Sequence, residues 1–131
     1  MSVQEQYMQL QLLAQQIQAG QKQVQAIEEN LQELRKTKHT IEHLKQGQEV
    51  LFPIAGGVFA RGKLEDADHL IVNVGAGVAV KKSFADSKKV VEDQIQELKK
   101  FQQQLIAKVQ EQAEQAQKLE KDIEKEMQKN V

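Results

Sequence analysis

Apolar residues in the first third of the chain recur in alternating steps of three and four. The series runs Val3, Gln6, Leu10, Leu13, Ile17, Gly20, Val24, Ile27, Leu31, Leu34, Lys38, Ile41, Lys45, and only Gln6, Gly20 and the two lysines interrupt it. A period of 3.5 held over several heptads keeps one stripe of a helix facing a partner and winds the pair into a left-handed coiled coil. The last third carries a matching series of Val91, Ile95, Leu98, Gln102, Leu105, Val109, Gln112, Ala116, Leu119, Ile123 and Glu126. Ahead of it Ser83-Phe84-Ala85-Asp86 has the spacing of a capping box, which starts the second helix near Phe84. Each helix would hold roughly 43 to 47 residues and extend on the order of 65 Å at the rise of an α-helix. If the chain reverses between them, the seams align without a stutter, with Ile41 beside Val91, Ile27 beside Leu105 and Leu10 beside Ile123. Gly20 then falls near Gln112 and is expected to mark a weak layer, from which the pair splays or flexes outward.

The middle segment differs in kind. It is rich in Val, Ile, Leu and Phe, nearly free of Gln, and holds every glycine except Gly20 and Gly47, the latter at its threshold. EVLFPIAGGVFARGK from Glu49 lies over HLIVNVGAGVAVKKS from His69, displaced by twenty residues. Val50 matches Leu70, Ile54 matches Val74, Gly57 matches Gly77, Val58 matches Val78 and Arg61 matches Lys81. Each copy is strand, small-residue turn, strand, with Gly56 and Gly57 in the first turn and Gly75 and Gly77 in the second, and Glu65-Asp66-Ala67-Asp68 joins the copies. The pattern therefore predicts one α+β domain over 1–131: a long antiparallel two-helix coiled coil (1–47 and 84–131) with two β-hairpins (48–83) between its helices. Four short strands beside helices that spend their seams on each other leave open edges, so the hairpins are expected to pair with those of other chains, with the helical arms projecting outward.

Composition sharpens this picture. Aromatic residues are 4% and Trp is absent, so the large fillers of a compact core are missing, while Gln, Glu, Lys, Leu and Ala suit long solvated helices. The 18 basic and 19 acidic residues are mixed along the chain, which argues against nucleic acid as a partner. With no Cys, disulfides and thiolate metal sites are excluded, and the absence of a leader pattern or a long apolar run leads us to expect a cytoplasmic protein with no membrane partner.

Candidate chemistry is sparse. Gly75-Ala76-Gly77 resembles the start of a phosphate-binding loop, but such a loop opens a helix, whereas Val78-Ala79-Val80 continues as strand and the feature recurs at Gly56-Gly57. His39 and His43 share a helix face, yet HTIEH lacks the glutamate placement of H-E-x-x-H and shows no third ligand, so the pair is read as solvated and no metal is assigned. His69 begins a strand with no obvious partner. The carboxylate pairs Glu28-Glu29, Asp66 with Asp68, and Glu92-Asp93 lie where no concave site is expected, and neither an enzymatic activity nor a cofactor is predicted. The arm ends are less ordinary. Val3, Tyr7, Met8, Leu10, Leu12 and Leu13, with Leu119, Ile123, Met127 and Val131 opposite, supply more apolar side chains than a two-helix seam can bury, as an adaptable surface for other polypeptides would.

With the repeat and arms in place, the chain resembles the archaeal prefoldin alpha family. VLFPIAGGVFARGKL is similar to the family's first hairpin and VNVGAGVAVKKS to its second hairpin and helix entry, and two hairpins are the alpha-class arrangement; Ala55-Gly56-Gly57 stands where Gly-Ala-Gly is common. The resemblance implies an ATP-independent chaperone subunit. Its hairpins would join two alpha and four beta-class subunits into a hexamer with a β-barrel platform. Its arm tips would capture unfolded polypeptides and deliver them to a group II chaperonin. Carried onto this chain, Val50, Leu51, Phe52, Ile54, Val58, Phe59, Leu70, Ile71, Val72, Val74, Val78 and Val80 would form the platform, and the ten tip residues the client surface. The contrasting expectation is a scaffolding coiled coil that binds one specific folded partner.

Overall fold

The computed structural model describes residues 2–66 and 68–129. Helix α1 spans Val3–His43, β1 Glu49–Ala55, β2 Val58–Lys63, β3 His69–Gly75, β4 Val78–Ser83 and α2 Phe84–Lys129. The chain divides into two compact units, one of Met1–Leu31 with Glu97–Val131 and the other of Gln32–Gln96.

In the first unit the heptad seam is the core. Leu13, Ile27, Leu31 and Ile123 are buried, and Val3, Leu10, Ile17 and Val24 on α1 and Leu98, Leu105, Val109, Ala116 and Leu119 on α2 are half-buried. Full burial of one Leu or Ile side chain contributes about 1.5–3 kcal/mol, so a few layers set most of the pairing energy. Polar seam positions are used rather than wasted. Gln102 donates from Nε2 to Glu28 Oε2 at 3.0 Å and to the carbonyl of Val24 at 3.3 Å. Gln112 donates to Gln16 Oε1 at 3.3 Å, and the Tyr7 hydroxyl reaches Met127 Sδ at 3.7 Å. Partner numbers rise on one helix as they fall on the other, as antiparallel pairing requires. Ser2 caps α1 by accepting from the Glu5 amide at 3.2 Å, a second S-x-x-E capping box.

Gly20 lies, as expected, near Gln112: both line an open groove of about 440 Å³ together with Gln16, Leu105 and Val109. Gln112 bonds Gln16, one turn away from Gly20, and the space above Gly20 belongs to Val109: a Cβ placed on Gly20 would lie 2.5 Å from Val109 Cγ2. Gly20 is buried, and α1 runs through it without a break. The missing side chain lets α2 seat a stiff β-branched residue against α1 backbone beside that groove.

In the second unit Val91 and Ile95 are buried and Ser87 is 1% exposed. Two ion pairs tie the helices there, Lys38 Nζ to Glu92 Oε1 at 3.3 Å and Lys88 Nζ to Glu42 Oε1 at 2.9 Å. The hydrogen bond from Lys88 holds the Glu42 carboxyl below its ordinary value, and Glu42 in turn raises Lys88. The first helix stops at His43, short of the expected residue 47, and Lys45 is exposed while Leu44 takes its place toward the interior. The cause is the first hairpin: the Gly47 amide donates to the Leu64 carbonyl at 2.7 Å and the Leu64 amide to the Gln48 carbonyl at 2.9 Å, extending the β1–β2 ladder into residues a helix would need. Gly47 makes the bend at φ +79°, open to glycine at no steric cost. The second helix starts at Phe84, where Ser83 Oγ accepts from the Asp86 amide at 3.1 Å.

The two hairpins are separate antiparallel pairs with the same register. Glu49 pairs with Lys63 and Ala55 with Val58; twenty residues on, His69 pairs with Ser83 and Gly75 with Val78. Both registers slip at the equivalent place, between Pro53 and Ala55 and between Asn73 and Gly75. Between the hairpins Asp66 Oδ1 accepts from the amides of Asp68 at 2.8 Å and His69 at 3.2 Å, which depresses the Asp66 carboxyl, the Asp68 bond being the larger cause.

The contact at Gly20 is expected to show as coupling. Val109→Ala alone should destabilise the helix pair, Gly20→Ala should lose its helix-propensity gain to the clash, and the double variant should recover stability. The expected cycle coupling is about 1–2 kcal/mol, measured by urea unfolding.

Candidate assembly and binding surfaces

Each hairpin must reverse the chain in two residues, and the turn chemistry follows. Gly56 and Gly57 have φ of +52° and +84°, and Ala76 and Gly77 have +53° and +74°. Positive φ at both central residues is the primed turn that matches the twist of antiparallel strands. The Gly75-Ala76-Gly77 segment is thus a hairpin tip leading into β4, not the entry to a helix. The central pair of the second turn is Ala76-Gly77, which corrects the expectation that Gly75 sits there; Gly75, at φ +109°, closes the bulge while its amide donates to Asn73 Oδ1 at 3.0 Å. Sequence reasoning missed Ala76 because small side chains at turns look alike until the backbone angles are known.

The hairpins carry a dense set of uncovered apolar side chains. Leu51, Phe52, Ile54, Val58, Phe59, Ile71, Val74, Val78 and Val80 are exposed, with Ile71 at 78%. Val50, Leu70 and Val72 are half-buried. Leu70 and Val72 line a groove of about 490 Å³ together with Ile41 and Leu44 of α1 and Ser87 and Val91 of α2. The Ser87 hydroxyl beside it is buried with no hydrogen-bond partner among the described residues. Phe52 lies over Gly62, where any Cβ would collide with its ring, so the ring is held flat on one face of the first hairpin. Strands exposed on so many apolar positions, with two open edges per hairpin, are a surface for pairing rather than for water.

A second uncovered set lies at the first turns of α1 and the last turns of α2. Tyr7, Met8, Leu12 and Met127 are 46%, 70%, 54% and 51% exposed. Met8 and Leu12 stand one turn apart and are bordered by Gln9, Gln11 and Gln15. Leu13 and Ile123 do not belong to this surface: they are buried in the seam, because their heptad positions point at the partner helix. Val3, Leu10 and Leu119 are half-buried, and Val131 lies outside the described residues. Phe101, 56% exposed on α2, is an off-seam aromatic that heptad stepping passed over.

Several of the remaining charged candidates are engaged in local structure. Glu92 pairs with Lys38, Glu28 accepts from Gln102, and Asp66 closes the turn between hairpins. His69 does have a partner, its Nδ1 lying 3.5 Å from Asp66 Oδ2, and Lys81 Nζ is 4.0 Å from the same oxygen. His39 and His43 sit side by side with Glu42, a third donor overlooked because H-x-x-E-H puts the acid next to the second histidine. No helix among the described residues is long and apolar enough to cross a membrane.

Two long helices paired by a heptad seam and joined through two tandem β-hairpins define a coiled-coil subunit whose apolar side chains are displayed rather than enclosed. The chain belongs to the prefoldin family: the family described as prefoldin subunit matches residues 13–129. It is 34% identical over 126 residues to the prefoldin subunit alpha of Methanococcus aeolicus, covering 96% of this chain and 88% of that one. The prefoldin subunit alpha of Methanoculleus marisnigri is 32% identical, with 95% and 80% covered, and that of Archaeoglobus fulgidus 28%, with 92% and 90% covered. The same fold is found in the cryo-EM structure of filamentous PFD from Methanocaldococcus jannaschii, at a TM-score of 0.74 and 22% identity, over 84% of this chain and 93% of that chain. Prefoldin is a non-enzymatic chaperone family.

The turn geometry has a direct consequence. Ala76→Gly should stabilise the second hairpin by about 0.5–1 kcal/mol, since it relieves a left-handed Cβ, whereas Gly77→Val should destabilise it by about 1–2 kcal/mol. Urea midpoints followed by circular dichroism measure both.

Proposed function

We propose that this chain is an ATP-independent chaperone subunit that captures unfolded polypeptides on the exposed apolar residues at the ends of its paired helices and delivers them to a group II chaperonin. The observation that carries the reading is the partition of exposed apolar side chains into two sets, one on the hairpins and one on Tyr7, Met8, Leu12 and Met127. The hairpin set is the assembly surface. Its open edges and apolar faces pair with those of beta-class subunits, two alpha with four beta, in a β-barrel platform. The groove between α1, β3 and α2 offers a neighbouring strand an apolar seat.

The helix-end set is the client surface. Methionine suits clients without fixed structure because its unbranched, polarizable side chain adapts to many shapes. A few such residues bind weakly, and several arms on one platform convert weak contacts into useful affinity without a tight pocket. The glutamines around Met8 and Leu12 keep the surface hydrated while no client is bound.

Replacing Met8, Leu12 and Met127 together by Ser should leave assembly intact by native mass spectrometry with a beta-class subunit. The same variant should need roughly tenfold or more protein to suppress aggregation of unrelated denatured proteins, given how steeply avidity falls when each contact weakens. Undiminished suppression would remove the helix ends as the client surface, and saturable binding to a single folded protein would replace the reading with a scaffolding one.

A further inference from the structure

The last turn of α1 carries three clustered side chains outside the heptad series. His39 and His43 are one turn apart, with ring centroids at 4.2 Å, and Glu42 lies between them in sequence. One ligand atom from each of the three falls within 4.8 Å of the others, and all three residues are exposed. His43 Nδ1 is 2.8 Å from the His39 carbonyl oxygen. A carbonyl only accepts, so Nδ1 carries the hydrogen and donates, and Nε2 of the neutral ring keeps its lone pair facing away. Metal-binding imidazoles are held in the same way, one nitrogen anchored to a backbone carbonyl and the other left for the ion.

We propose that His39, Glu42 and His43 form a site for a divalent first-row transition-metal ion of the imidazole-preferring class, zinc or copper. Tetrahedral ligand atoms about 2.0–2.2 Å from zinc lie roughly 3.3–3.6 Å apart, so the present arrangement, within 4.8 Å, has to close by up to about 1.5 Å. Exposed side chains make that adjustment through their own rotamers. Three protein ligands leave a fourth position for water. Two nitrogen donors disfavour calcium and magnesium, which take oxygen sets.

Two neighbours shape the site. The helix ends at His43, and the partial negative charge of its terminal carbonyls favours a cation there. Lys88 Nζ holds Glu42 Oε1 at 2.9 Å, which fixes the carboxylate and leaves its second oxygen for the ion. The ammonium charge also opposes a cation, so binding is moderate. An ion on this turn clamps the end of α1 next to the Glu42–Lys88 pair, which ties it to α2.

The test is titration of the intact protein with zinc chloride against a chromophoric chelator, with copper(II) electron paramagnetic resonance on the same protein. One ion per chain is expected, and the copper spectrum should show superhyperfine splitting from two nitrogens. His39→Gln and His43→Gln should each weaken zinc binding about tenfold or more, with the copper spectrum reduced to one nitrogen, while His69→Gln changes neither. Circular dichroism of the variants reports that the helices persist. Absence of saturable zinc uptake, equal uptake by the His39→Gln/His43→Gln double variant, or a copper spectrum without two nitrogens would each overturn the proposal.

Discussion

The heptad seam between α1 and α2 is the interaction on which the remaining structure depends. Its apolar residues are spent on the opposite helix, so the helices give the strands little cover beyond the groove that Ile41, Leu44 and Val91 share with Leu70 and Val72. The hairpins accordingly leave Leu51, Ile54, Val58, Phe59 and Ile71 more than half exposed. A soluble monomer does not ordinarily leave such strands open, and a family of subunits is the natural setting for a chain that does.

The tandem hairpins show how a repeat answers that constraint. Two copies with one register, one slip position and one turn type present the same kind of edge twice. The bulges at Ile54 and Val74 push exposed apolar side chains out beside each turn, at 66% and 52% exposure. A bulge raises local twist and bends its strand, which turns an edge away from indiscriminate stacking while keeping it available to a partner of matching curvature. The two-copy arrangement thus combines the display of apolar surface with restraint on how it can be paired.

How much of this was legible in the sequence follows from the range of the forces involved. The seam was legible residue by residue, from Val3 to Ile41 and from Val91 to Glu126, because periodicity is a property of one helix alone. The partner register was legible too, since Ile41 and Val91 line one groove and Gly20 and Gln112 another; the contact of Val109 with Gly20 was not, because it joins residues far apart in the chain. The end of α1 was placed four residues late for the same reason: Lys45 fits the heptad, but Gly47 and Gln48 are claimed by Leu64. Among the surface residues Leu13 and Ile123 had been grouped with exposed neighbours by position along the chain, while their heptad phase buries them. Ala76 and Glu42 were overlooked because backbone angles and side-chain convergence leave no mark on composition.

The same seam also explains why apolar surface survives at the helix ends. Along the rest of the helices Gln, Glu and Lys fill most of the outer faces, with Phe101 and Ile106 as exposed apolar exceptions. At the first turns of α1 and the last of α2, Tyr7 and Met127 are about half exposed and joined by a hydroxyl-to-sulfur contact of 3.7 Å. Leu13 and Ile123, close by along the seam, are buried between the helices. Apolar display at the surface and order just beneath it are therefore set by heptad phase, which buries Leu13 and Ile123 and leaves Met8, Leu12 and Met127 outside the seam.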